Sequence, residues 1–198
     1  GEKILEEREL PWLAGFAGVG PVRVGNAAYS HHQHDVYGEM VLAITPLFFD
    51  QRLDRHDQGR AFQTVRHLVE KAISTFALAD AGLWEFRSEH KHYLFSKLMS
   101  WAAVDRGIRI ATKVGQTDQA NQWIRAAEDM RAQIDRHGWN AERGIYTQAY
   151  DSPNGDASNL LMYQLNYVNP RDERFRSTVQ SYLKLLKRGE LITRYVNQ

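Results

Sequence analysis

The sequence predicts an all-α protein, and three observations predict it. From about residue 29 nearly to the end, apolar residues recur at steps of three and four, the spacing of one helix face. Between these stretches stand residues that start or stop helices: Asp and Asn caps, Pro170 and Gly189. Within the helical part, strand-like character is limited to the short segment "IYTQAY", residues 145–150.

The elements follow in order. "LPWLAGFAGVGPVRVGNAA" is punctuated by Gly15, Gly18, Gly20, Pro21 and Gly25 and reads as irregular or short extended structure. A helix from about Tyr29 to Phe48 carries Val36, Met40, Ile44 and Leu47 on one stripe. The next, about Gln58 to Leu78, places Phe62, Val65, Val69, Ala72 and Phe76 on its apolar face. Leu94, Leu98, Trp101, Val104 and Ile108 form a third stripe, on a helix that begins near His92. A fourth helix, capped by Thr117 or Asp118, carries Trp123, Ala127, Met130 and Ile134. A short helix near Ala157–Leu165 has Asp156 as its N-cap. The last helix has an Asn169 cap and Pro170 in its first turn. Phe175, Val179, Tyr182 and Leu186 form its stripe, and Lys187, Arg188 and Gly189 end it. About six helices are expected, and bundle, solenoid and toroid all fit the pattern.

Composition narrows the function. At 198 residues the chain suits one domain. Lys+Arg 25 against Asp+Glu 24 leaves a net charge of +1, and the basic residues are scattered, so no nucleic-acid footprint is present. No apolar run approaches the ~18 residues of a membrane span, so neither a membrane nor a nucleic-acid partner is expected. The absence of cysteine removes thiol catalysis, thiolate metal sites and disulfide scaffolds. No nucleotide loop, zinc-protease or serine-hydrolase motif is present. The start, "GEKILEEREL", has no initiator Met and no signal-peptide pattern, so a processed or partial chain is expected, with a cytoplasmic setting.

The residues that can carry chemistry cluster in "ADAGLWEFRSEHKHYLFSKLMSW", residues 79–101. Glu85 lies in the turn between two predicted helices, flanked by Trp84 and Phe86. Apolar neighbours disfavour an ionised carboxyl and raise its pKa, which suits a general acid. Arg87 and Glu89 are placed to orient that acid or a sugar. A solvated loop glutamate beside a half-buried tryptophan is the plainer reading of the same residues. In "SHHQHD", His31, His34 and Asp35 have helical offsets that bring ligands together, yet a capped or pocket-lining polar face accounts for them better than a metal. Neither a metal nor a cofactor is expected. Trp101 and Trp123 fall on core stripes, whereas Trp12 and Trp84 fall in loops and are candidates to stack on sugar.

Four segments, taken together and in order, resemble one family. They are "ELPWLAGFAGVGPVRVGNAA", "QHDVYGEM", "DAGLWEFRSEHKHYLFSKLMSWAAVDRGIRIA" and "DASNLLMYQLNYVNPRDERFRSTV". The likeness is to the bacterial branch of glycoside hydrolase family 15, the glucoamylases and trehalase-like enzymes. It implies part of an (α/α)6 toroid, in which twelve helices form two concentric rings. It also implies inverting hydrolysis of α-glucosidic bonds by two carboxylates, with a glucosyl oligosaccharide or disaccharide as substrate.

Through the resemblance, Glu85 takes the place of the acid that protonates the leaving oxygen, directly after Trp84. Phe86 stands where fungal glucoamylases carry a second, sugar-binding glutamate, so Arg87 and Glu89 are expected to serve the leaving-group side. Arg194 resembles the arginine of an R-Y pair that holds the glucosyl unit, Gln33 and Asp35 a pocket-lining Q-x-D, and Asp156 a structural aspartate in DA-x-x-LL. The family's upstream R-D pair and its downstream base motif have no counterpart here, so the chain resembles the middle of a catalytic domain, with the acid and without the base. Self-association through uncovered helix faces is expected of such a piece. The competing reading is a non-catalytic helical carbohydrate-binding or interaction domain.

Overall fold

The computed structural model describes residues 6–53, 57–86 and 90–196. Six α-helices lie among them: α1 (Asp35–Ile44), α2 (Pro46–Phe49), α3 (Gln58–Thr75), α4 (Leu94–Lys113), α5 (Thr117–His137) and α6 (Glu173–Leu185). Three two-stranded antiparallel hairpins accompany them: β1 (Arg8–Glu9) with β2 (Arg23–Val24), β3 (Trp139–Asn140) with β4 (Ile145–Tyr146), and β5 (Lys187–Arg188) with β6 (Leu191–Ile192). The all-α expectation holds.

Helix α4 is the centre. Every residue from Leu94 to Val104 is buried, including Ser96, Lys97 and Ser100, and a helix shielded all round is a core element. It is flanked by α1, α3 and α5. Helices α3 and α5 bury one face each, and the predicted stripes Phe62–Val65–Val69–Ala72–Phe76 and Trp123–Ala127–Met130–Ile134 are those faces. Asp57 caps α3 by accepting from the Arg60 amide at 3.3 Å. The N-cap of α5 is Gln116, with no side-chain cap bond, and Asp118 sits instead in the first turn.

The first predicted helix needs correction. Tyr29 and Ser30 belong to a 3-10 turn (Ala27–Ser30) capped by Asn26, and α1 starts only at Asp35. It ends before Pro46, which opens the separate α2, because proline has no N–H for the helical ladder. The buried face also differs. Val36, Met40 and Leu47 are exposed, while Asp35, Gly38, Val41 and Phe48 are buried. The reason is proximity: a Cβ on Gly38 would lie 2.1 Å from the Met99 carbonyl oxygen, so α1 meets α4 at the glycine.

Towards the C-terminus the predicted short helix is a 3-10 helix (Ala157–Met162) with Asp156 as N-cap, as expected. Helix α6 begins later than predicted. Asp172 caps it through the Phe175 amide at 2.9 Å, while Asn169 closes the preceding turn on the Arg171 amide. It packs on β4, where the Tyr146 amide donates to Thr178 Oγ1 at 2.9 Å.

What positions the site is a set of non-helical segments stitched together where helices begin and end. Asp80 and Lys91 exchange two backbone hydrogen bonds of 3.0 Å and close the base of the loop that carries Glu85. The Ala81 amide donates to the His32 carbonyl, Tyr93 pairs with Ala149, and Asp156 with Tyr195.

Candidate active site

The Glu85 turn is built on Gly82. With φ +67, Gly82 takes a backbone conformation that side chains disfavour, and a Cβ there would meet the Tyr93 ring at 2.6 Å. Its carbonyl accepts from the Glu85 amide at 3.1 Å, and the Phe86 amide donates to the Ala81 carbonyl at 3.0 Å. Glu85 itself has φ 53, a left-handed conformation unusual for a residue with a side chain. Such conformations collect at functional sites, where surrounding contacts hold them. The Glu85 side chain is exposed, so the apolar enclosure expected from its sequence neighbours is not formed by the described residues. Trp84 and Phe86 turn to other partners.

Trp84 is half-buried, and its indole Nε1–H donates to Asp156 Oδ2 at 2.8 Å. The Arg194 guanidinium carbon lies 5.0 Å from the centre of the indole, within cation–π range. Phe86 stacks on Tyr93 at 5.0 Å and contacts Tyr195 at 5.1 Å. The Arg194 carbonyl accepts from the Ala157 amide at 2.8 Å, which fixes that segment beside the 3-10 helix. Arg194 is exposed and lies over the residue that precedes Glu85.

Gln33 reaches the same turn from ahead of α1, donating its Nε2–H to the Gly82 carbonyl at 3.2 Å. Asp35, by contrast, is buried at the start of α1. Burial first, then the neighbouring charges of Glu39 and Asp80, push its carboxyl up to about 6. Its Oδ1, Asp80 Oδ1 and His34 Nδ1 are buried without a hydrogen-bond partner among the described residues. Burial also holds the His34 imidazole below its ordinary range.

The structure thus brings Gln33 and Arg194 against the turn that carries Trp84 and Glu85, and it buries Asp35. Arg87 and Glu89 lie outside the described residues. Trp12 stands exposed, and Trp101 and Trp123 are core residues. Among the described residues, no group of three or more His, Cys, Asp or Glu side chains could hold a metal ion. No helix among them is long and apolar enough to cross a membrane. Beside Gln33 runs a cleft of about 370 Å³ lined by His31, His32, His34, Tyr37 and Leu78. Another of about 330 Å³, between α1–α2 and α3, contains none of the predicted site residues.

Sequence reasoning missed two supports. Lys97, on α4, is buried and donates to the carbonyls of Phe76 and Leu78, both at 2.6 Å. Its lysine in the apolar run "YLFSKLMSW" was the available signal. Gln148, which donates to Asp156 Oδ2 at 3.2 Å, carries no local signal at all.

Comparisons with known proteins bear on the family and the fold. The trehalase of Mycobacterium tuberculosis is 35% identical over 195 residues, which cover 98% of this chain and 28% of that protein. The trehalase of Thermoplasma volcanium is 32% identical over 200 residues, covering 96% of this chain and 30% of its own. The chain therefore spans under a third of the length of these relatives. The solved glucoamylase of Saccharomycopsis fibuligera superposes with a TM-score of 0.62 at 18% identity, over 78% of this chain and 37% of its own, and it places the helices as part of an α/α toroid. A profile described as "Glycosyl hydrolases family 15" matches residues 2–196. With the match running through the helical frame and the Glu85 turn alike, the chain belongs to glycosyl hydrolase family 15.

Proposed function

We propose that this chain is the central part of a catalytic domain that hydrolyses α-glucosidic bonds with inversion, and that its substrate is α,α-trehalose. Glu85 is the general acid. The observation that supports this most is that Gln33 and Arg194, from segments far apart in sequence, both meet the turn that carries Trp84 and Glu85. The choice of trehalose over other α-glucosides rests on the trehalases among the relatives.

Glu85 donates its proton to the glycosidic oxygen as the bond to the anomeric carbon breaks. A second carboxylate, supplied by polypeptide outside these 198 residues, takes a proton from the water that attacks the opposite face. Inverting enzymes hold the two carboxyls roughly 6.5–9.5 Å apart to seat that water. Arg194 and Gln33 bind sugar hydroxyls, and Arg87 and Glu89 serve the leaving glucose. In the same reading the exposed Val36, Met40, Leu47 and Phe49 of α1 and α2 are covered by the rest of the domain. The 198 residues made alone should therefore self-associate, which sedimentation would register.

The test is proton NMR of trehalose, maltose and isomaltose hydrolysis by the full reading frame carrying this chain. Trehalose should yield α- and β-glucose in equal initial amounts, one product inverted and one leaving unchanged. Glu85→Gln should abolish the release. Turnover unaffected by that substitution would remove Glu85 from the role.

A further inference from the structure

Asp156 makes more hydrogen bonds than a helix cap needs. Its Oδ1 accepts from the Ser158 amide at 2.9 Å and the Ser158 hydroxyl at 2.7 Å, which completes the cap of the 3-10 helix. Its Oδ2 is committed elsewhere, accepting from Trp84 Nε1–H at 2.8 Å and Gln148 Nε2–H at 3.2 Å. Its own amide donates to the Tyr182 hydroxyl at 3.1 Å, and that hydroxyl donates to the Tyr146 carbonyl at 2.6 Å. The residue is 4% exposed and bridges to Tyr195. One carboxylate oxygen serves the 3-10 helix. The other serves the residue that precedes Glu85.

We propose that Asp156 is a positioning residue for the general acid. By holding the Trp84 indole it holds Glu85 in its left-handed conformation. Through the adjoining Ala157–Arg194 backbone bond it places the acid and the sugar-binding arginine in one frame. The proposal rests on the reading of Glu85 as the acid.

Asparagine separates this role from a purely structural one. Asn caps helices about as well as Asp, and its single carbonyl oxygen can keep both Ser158 bonds. Its NH2 would then face the Trp84 indole, which is a donor only. Gln148 can turn its amide round to present an acceptor; Trp84 has no such freedom. Asp156→Asn therefore preserves the 3-10 helix and withdraws one bond.

The experiment compares two substrates with the full reading frame carrying this chain. In trehalose the leaving oxygen must take a proton from the acid, whereas in α-glucosyl fluoride the halide departs as an anion without one. In both, water adds at the anomeric carbon. Asp156→Asn should lower kcat on trehalose on the order of 10- to 100-fold. On α-glucosyl fluoride kcat should stay within about threefold, and KM for trehalose likewise. Trp84→Phe, which lacks the N–H, should lower kcat on trehalose, and that loss should not add to the loss from Asp156→Asn. Equal losses on both substrates, or no loss on either, would overturn the proposal. Glu85→Gln is the control: if it fails to show the selective loss, the reading of Glu85 falls; if it shows it and Asp156→Asn does not, only the role of Asp156 falls.

Discussion

The Lys97 ammonium donates to the Leu78 carbonyl at 2.6 Å, tying the exit of α3 to the core of α4 just ahead of the Glu85 loop. The same ammonium serves the Phe76 carbonyl and lies 5.4 Å from the centre of the Phe76 ring. A lysine so enclosed is held in place by backbone oxygens, and its titration reports on that enclosure.

Burial lowers Lys97 from 10.5 to about 8, partly offset by the charge of Asp80. Above pH 8 the folded protein releases this proton while the unfolded chain keeps it until about 10.5. The unfolded state then binds more protons, so the Lys97 contribution to stability rises with pH across that window, by at most about 3 kcal/mol. The stability of the wild type relative to Lys97→Met should therefore grow from pH 8 to pH 10 in urea titrations. A pH-independent difference would contradict it.

Asp35 has the opposite slope. Its carboxyl is raised from 3.8 to about 6, so between those values the folded state keeps a proton that the unfolded chain has lost. Stability from this group is full below pH 4 and falls as pH rises through 6, by at most about 3 kcal/mol. Asp35→Asn should gain on the wild type by that order between pH 4 and pH 7, as followed by thermal melts at matched ionic strength.

Gly82→Ala should damage the Glu85 turn. The new methyl meets the Tyr93 ring at 2.6 Å and sits on a backbone with φ +67. The left-handed strain and the overpacking together cost roughly 2–4 kcal/mol. Tyr93 must shift, and its stack with Phe86 at 5.0 Å goes with it. Denaturant midpoints should fall, and hydrolysis by the full reading frame should fall with them.

Tyr182→Phe tests the scaffold behind Asp156. The lost hydroxyl leaves the Asp156 amide, the Asn159 side-chain amide and the Tyr146 carbonyl each one partner short. Stranding buried polar groups costs about 1–3 kcal/mol, and calorimetry should show a loss in that range with no change in secondary structure.

These residues also show which parts of the molecule could be read from sequence. The stripes of α3 and α5 were legible because each helix buries one face and solvates the other. The cap at Asp156 was legible because capping is settled within a few residues. The contact face of α1 was not, since it is made by Asp35, Gly38 and Val41 rather than by its largest apolar residues, and backbone proximity at Met99 has no hydropathy signature. Glu85 was singled out by its place in a turn between Trp84 and Phe86, whereas Gln33 and Arg194 became candidates only through family likeness. The bond that joins Trp84 to Asp156 spans 72 residues, and no local pattern announces it.

That separation has a kinetic consequence. Helices α1, α3, α4 and α5 are drawn from chain that precedes Asp156, so during synthesis they can pair while Trp84 still lacks its acceptor. The core they share is closed later, by Met162, Leu165, Tyr167 and Phe175. Closing contacts of long sequence separation is the slow part of folding. The turn that carries Glu85 is thus fastened late, and a nascent chain stalled before residue 156 would carry paired helices, a core still open where Met162 and Tyr167 belong, and a Trp84 without its acceptor.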